Sequence, residues 1–187
     1  MMKAAAQVTT ARLILRQPQM SDAASIFERY ANDPEVTRFL GWPRHRSIQE
    51  TEAFLEFSAH EWERWPAGPY LLVSRRNGVL LGGTGLAFQG PHEALTGYVL
   101  AKDVWGNGYA TEALGAVIEV AAGAGVKALR ALCHPEHRTS QRVLEKCGFI
   151  RDETSARQVE FPNLSPGLQQ PALCYALTLT KVTKDAI

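Results

Sequence analysis

The segment Trp105-Gly106-Asn107-Gly108-Tyr109-Ala110-Thr111-Glu112-Ala113-Leu114 constrains this chain more than any other, because two glycines run directly into an amphipathic helix pattern. Ala110, Ala113, Leu114, Val117, Ile118, Ala121 and Ala122 recur at helical spacing, which predicts a helix with one buried face. Glycine at 106 and 108 allows a tight turn and lets a ligand approach the backbone N–H groups closely. The first turn of the helix adds unpartnered N–H groups and the positive end of the macrodipole. Such a junction suits a phosphate.

Which phosphate depends on detail. A dinucleotide fingerprint needs a third small residue where Thr111 stands, and a P-loop needs a Gly-Lys-Ser or Gly-Lys-Thr run that is absent. Taken alone, the segment also admits a plainer reading as a glycine turn that starts a helix.

The chain's 187 residues predict one domain, 1–187, with residues 1–10 flexible. Hydrophobic residues at 45% and charged residues at 21% exclude a disordered chain. A net charge of +1 leaves no electrostatic footprint for nucleic acid or an anionic membrane surface. Cys133, Cys147 and Cys174 are scattered, and no Cys/His spacing suggests a metal site. With no signal peptide pattern and no long apolar run, the expected location is cytoplasmic.

Along the chain, Arg12 to Arg16 reads as a strand, Ser21 as the cap of a helix carrying Ala23, Ile26, Phe27 and Tyr30, and Ser47 with Glu50 as a capping box. Tyr70 to Arg75 and Val79 to Phe88 flank Asn77-Gly78 as a hairpin. Further strands are expected at Ala94 to Ala101, Lys127 to Cys133, Phe149 to Asp152 and Ala172 to Thr180, with a short helix from Ser140 to Cys147 stopped by Gly148. Phe161 to Pro171, with three prolines and a glycine, reads as a long exposed loop. This order predicts an α/β fold, a mixed sheet with helices on both faces.

Two motifs then carry a family resemblance. Val99 to Leu114 resembles the acetyl-CoA loop of the GNAT N-acetyltransferases. About thirty residues on, His134-Pro135-Glu136-His137-Arg138-Thr139-Ser140-Gln141-Arg142-Val143-Leu144-Glu145-Lys146-Cys147-Gly148-Phe149 resembles that family's second cofactor-side segment. With Arg12 to Arg16 and Gly41-Trp42-Pro43, the chain is similar to the branch that acetylates protein N-termini, including those of ribosomal proteins.

The resemblance implies a mostly antiparallel sheet of about seven strands with about four helices, its central strands splayed around pantetheine. It implies acetyl-CoA as co-substrate and no metal. The pyrophosphate would rest on Trp105, Gly106, Asn107, Gly108, Tyr109, Ala110 and Thr111, and the pantetheine against Val99, Leu100 and Ala101. The N–H of Leu100 would polarise the thioester, and Ser140 would stand near the departing sulfur, although helix capping also explains a serine there. His137 reads either as a proton relay or as a surface residue.

The sequence departs from the family at four positions. Asp103 replaces a Gln or Arg, Leu95 the glutamate base, Leu144 the tyrosine acid, and His137 an asparagine. Attack needs a neutral amine, and an α-amine, with a pKa of about 7.7–8.0, needs less help than a lysine near 10.4. A protein or peptide N-terminus is therefore the expected acceptor. A small-molecule amine and a non-catalytic acyl-CoA-binding role stay open, as does the choice of monomer or homodimer. The glutamates on the helix after Ser47 read as a solvated face or as a lure for a cationic substrate. Trp42, Trp62 and Trp65 read as core first and groove lining second.

Overall fold

The computed structural model describes residues 3–155 and 157–179. Strands β1 (Gln7–Thr9), β2 (Leu13–Arg16), β3 (Pro69–Ser74), β4 (Leu80–Gly90), β5 (Glu93–Leu100), β6 (Ala128–Cys133), β7 (Ile150–Arg151), β8 (Arg157–Glu160) and β9 (Gln169–Thr178) form one sheet. Its order is β1-β2-β3-β4-β5-β6-β9-β7, with β8 on the free end of β9. Every pairing is antiparallel except β5 with β6. The described residues thus hold nine strands, two more than expected: β1 and β8 were not foreseen.

The helices are α1 (Ala23–Ile26), α2 (Pro34–Thr37), α3 (Ile48–Arg64), α4 (Tyr109–Gly123) and α5 (Arg138–Lys146). Strand β3 shows how they are layered, since period-2 alternation sends its apolar residues to both faces. Leu71 and Val73 pack with Ile26 and Leu55 beneath α1 and α3, whereas Tyr70 and Leu72 join Leu114 and Val117 of α4.

Four local expectations are corrected. Within the segment 1–10 expected to be flexible, Gln7 to Thr9 pair with Ile14 to Arg16 and Ala4 N–H donates to Pro66 O, while residues 1 and 2 lie outside the described residues. Ser21 does not cap a helix. It lies inside a 3-10 turn where Asp22 accepts the Gln19 N–H, and α1 widens into a π-helical segment, Phe27–Ala31, closed by an Asn32 N–H to Phe27 O bond. Ser47 occupies the cap position of α3 without a capping bond, while Glu50 accepts the Arg46 N–H instead. The exposed loop expected from Phe161 to Pro171 shrinks to 161–168, because Gln169 to Ala172 pair with β8. Of the final strand expected to reach Thr180, β9 ends at Thr178, and Thr180 lies outside the described residues.

Candidate active site

The site follows from one interruption in the sheet. Strands β5 and β6 pair only through Glu93, Ala94 and Leu95 with Ala128, Leu129 and Arg130. Beyond Leu95 they part, while β6 stays fully paired to β9 on its other edge. Ala101 N–H donates to Leu81 O on β4, so strand alternation turns the N–H of Leu100 to the open edge. The Leu100 carbonyl there accepts the Trp105 indole N–H at 2.8 Å, tying the glycine loop to the end of β5.

The loop is an open cradle. Gly106 and Gly108 both adopt φ of +77°, which side chains with a Cβ rarely take. A Cβ at Gly106 would meet nothing within 4 Å, and one at Gly108 only Arg12 Nη2 at 3.6 Å. Gly108 caps α4, whose first turn, Tyr109, Ala110 and Thr111, turns its N–H groups toward this space. The geometry fits a pyrophosphate.

Arg12 and Glu112 brace the cradle. The Arg12 guanidinium donates to Asn107 O, stacks on the Tyr109 ring and bonds Glu112 Oε2 at 2.6 Å. Glu112 also accepts from Thr10 Oγ1 and the Arg12 N–H. Burial alone would raise its pKa, but these hydrogen bonds hold it below the ordinary carboxylate value. Glu112, an acidic residue in the first turn of α4 where it complements the helix dipole, therefore also anchors β2. Asp103, the residue in place of the family's Gln or Arg, is paired with Arg29 at 2.9 Å.

Where β5 and β6 part, a cavity of about 820 Å³ opens. Val99, His137 and Ser140 line it. The remaining expected cofactor residues lie outside that lining, on the end of β5 and the loop just described. Tyr98 spans the gap, its phenol oxygen 3.0 Å from both Ser140 O and Ser140 Oγ. Burial pushes the Tyr98 pKa up, against the pull of its bond with Ser140, so the phenol keeps its proton. Cys133, beside Ser140, is likewise pushed up by burial and stays a thiol.

His137 is half-buried rather than fully exposed. It sits at the N-cap position of α5 and stacks on Phe39 with ring centroids 4.9 Å apart, as His134 does. Burial, then the neighbouring His134, lowers its pKa, so His137 is neutral at pH 7.

Sequence reasoning missed Glu160. It stands at the end of β8 and is the sole carboxylate among the described residues lining the cavity, with its Oε1 accepting the Gly167 N–H at 2.9 Å. The next residue, Phe161, is buried against His134. Asn163 then pins this turn by donating to Thr37 O and Trp42 O and accepting from Arg44 N–H. Trp42 lines the cavity, whereas Trp62 and Trp65 pack in the core against Tyr70 and Phe88. Of α3, only Phe54 and Phe57 reach the cavity; its glutamates do not, as a solvated acidic face requires.

A parted central strand pair, a glycine cradle at a helix start and an adjoining cavity define an acyl-CoA-dependent transferase. Residues 12–150 match the model of the acetyltransferase (GNAT) domain, and the chain belongs to the GNAT family of acetyl-CoA-dependent N-acetyltransferases. It is 31% identical to the uncharacterized N-acetyltransferase YoaA of Bacillus subtilis, over 84% of this chain and 89% of that one. Two solved acetyltransferases share the fold. The Salmonella typhimurium enzyme that modifies the N-terminal serine of ribosomal protein L7/L12 superposes with a TM-score of 0.78 at 19% identity, over 91% of this chain and 97% of its own. The microcin C7 self-immunity acetyltransferase, solved with acetyl-CoA and AMP, gives 0.79 at 18% identity, over 91% and 94%. No helix among the described residues is long and apolar enough to cross a membrane.

Proposed function

We propose that this enzyme acetylates the α-amine of a protein or peptide N-terminus. The observation that carries the reading is the modest proton-accepting equipment of the cavity: one carboxylate, Glu160, and two imidazoles, His45 and His137, whose pKa values burial lowers. Such groups suffice for an α-amine, of which about a tenth or more is already neutral at pH 7, and fall short for a lysine. The Salmonella enzyme on the same fold has an N-terminal serine as its acceptor. Free thiols at Cys133, Cys147 and Cys174 suit a reducing compartment, and we place the enzyme in the cytoplasm.

In this reading the loop from Trp105 to Thr111 holds the pyrophosphate, and the edge of β5 from Val99 to Ala101 holds the pantetheine arm as an added strand would. Bound acetyl-CoA supplies a thioester carbon for direct attack by the amine. Glu160 orients the ammonium and takes its proton, directly or with His137. The N–H of Leu100 donates to the thioester oxygen. As the C–S bond breaks, Ser140 Oγ passes a proton to the leaving sulfur and regains one from the nitrogen that has formed the amide.

Release of CoA thiol across three acceptors tests this: a peptide with a free N-terminus, the same peptide N-formylated but bearing lysine, and spermidine. The free N-terminal peptide should react fastest by at least tenfold. Faster reaction of lysine or spermidine would overturn the assignment.

A further inference from the structure

The walls of the cavity are more specific than its catalytic groups. Around the Glu160 end they are built from aromatic rings on three separate segments: Phe39 and Trp42 from the loop after α2, Phe54 and Phe57 from α3, and Phe161 after β8. Most of these rings are held in place by packing. Phe39 stacks on His134 and His137, Trp42 lies against His45 at 5.2 Å, and Phe161 meets His134 edge to face at 4.8 Å. Phe57 differs in being 54% exposed while still lining the cavity, which leaves an aromatic ring at the mouth with a free face.

The charges are as restrictive as the shape. Among the described residues lining the cavity there is no lysine and no arginine, and Glu160 is the only acid. Arg38 comes near but stacks on Phe39 from an exposed position. One ammonium therefore has a partner in this cavity. A second would be stripped of water without compensation, and so would a free carboxylate. Those two absences weigh against polyamines, aminoglycosides and free amino acids alike. The cavity volume of about 820 Å³ leaves room for a full side chain beside the reacting amine.

Building on the N-terminal reading above, we infer that the acceptor is a peptide or protein whose first residue is large and apolar, of the Leu, Met or Phe class, with its carbonyl in amide linkage. The aromatic walls take that side chain, Glu160 takes the single ammonium, and the neutral peptide bond leaves toward the mouth past Phe57. A serine or alanine in first position would leave the rings unfilled, forfeiting about 10- to 200-fold in kcat/KM.

The test uses the full-length enzyme, acetyl-CoA and heptapeptides identical except for a first residue of Leu, Met, Phe, Ser or Ala, with leucine and leucine amide alongside. The expected result is a preference of at least tenfold for Leu, Met or Phe over Ser or Ala, and for leucine amide over free leucine. Phe57→Ala, at a half-exposed position where folding is not at stake, should narrow the Leu-to-Ala ratio by about fivefold or more; Trp42→Ala is the second variant. Equal or better turnover of Ser and Ala peptides would overturn this inference while leaving N-terminal acetylation intact, as would free leucine outperforming its amide. Turnover of lysine or spermidine with no turnover of any N-terminal peptide would instead overturn the reading beneath it.

Discussion

The phenol oxygen of Tyr98 lies 3.0 Å from both the carbonyl oxygen and Oγ of Ser140, joining β5 to the first turn of α5 across the gap where the sheet parts. The phenol has one proton, so its direction decides whether the Ser140 proton is spent on Tyr98 or is free to leave. Ser140→Ala should lower kcat about 10- to 100-fold with little change in KM. Tyr98→Phe should lower it less. Because the two hydroxyls act as one unit, the double variant should be no slower than Ser140→Ala alone. Additive losses in a thiol-release assay would show that they act separately.

Glu160→Gln keeps the shape of the side chain and removes its charge. At pH 7 the variant should lose about 100-fold in kcat/KM for an N-terminal peptide. At pH 9 the α-amine has lost its proton unaided, and the deficit should shrink to a few fold. A deficit constant across pH would assign Glu160 to binding alone.

Gly108→Val places a β-branched residue at φ of +77°. There is space for the Cβ, so the penalty is backbone strain of about 1–3 kcal/mol concentrated in the loop. CoA affinity measured by calorimetry should fall by tenfold or more, while Gly108→Asn, which tolerates this conformation, should lose less. Equal affinity for all three proteins would remove the loop from the cofactor site.

His137 makes stability depend on pH in a stated direction. Its folded pKa lies below the ordinary 6.5 because of burial, then His134. Below pH 6.5 the unfolded chain therefore gains the proton first, so stability is full above 6.5 and is lost as pH falls through the folded value. His137→Gln should flatten the fall in Tm between pH 6.5 and 5.5 by on the order of 2 °C. An identical fall in both proteins would contradict this.

Asn163→Ala removes three hydrogen bonds that pin the turn after β8 to Thr37, Trp42 and Arg44. Each is worth about 1 kcal/mol. The acceptor KM should rise severalfold while CoA affinity holds, because the loop proposed to hold CoA lies elsewhere. A parallel loss of CoA affinity would mean that the two halves of the site are coupled.

What the sequence made legible was local. The periodicity from Ala110 onward, the glycines at 106 and 108, and Gly148, which takes φ of +84° after α5, each announce their conformation from their own chemistry. What escaped depends on distant partners. Strand β8 reads Arg157-Gln158-Val159-Glu160, with no apolar alternation, and is a strand because β9 pairs with it. Prolines made Phe161 to Pro171 look like a free loop, yet Asn163 is fastened to residues about 120 positions earlier. Glu160 was invisible as a site residue for the same reason: nothing near it in the chain marks the cavity it faces.

The brace of Arg12 and Glu112 bears on how the protein reaches its working state. The two residues stand 100 positions apart, and Arg12 also reaches Asn107 in the cradle itself. Contacts of that separation form only after the intervening chain has closed, which is the slow part of assembling a sheet such as this one. A partly folded chain would already carry the glycine loop but not its support, and so would hold CoA poorly. CoA then favours the completed fold over every earlier species, raising its stability by RT ln(1 + [CoA]/Kd). With CoA seated on this loop as proposed, the co-substrate of the reaction would double as a ligand that draws folding to its end.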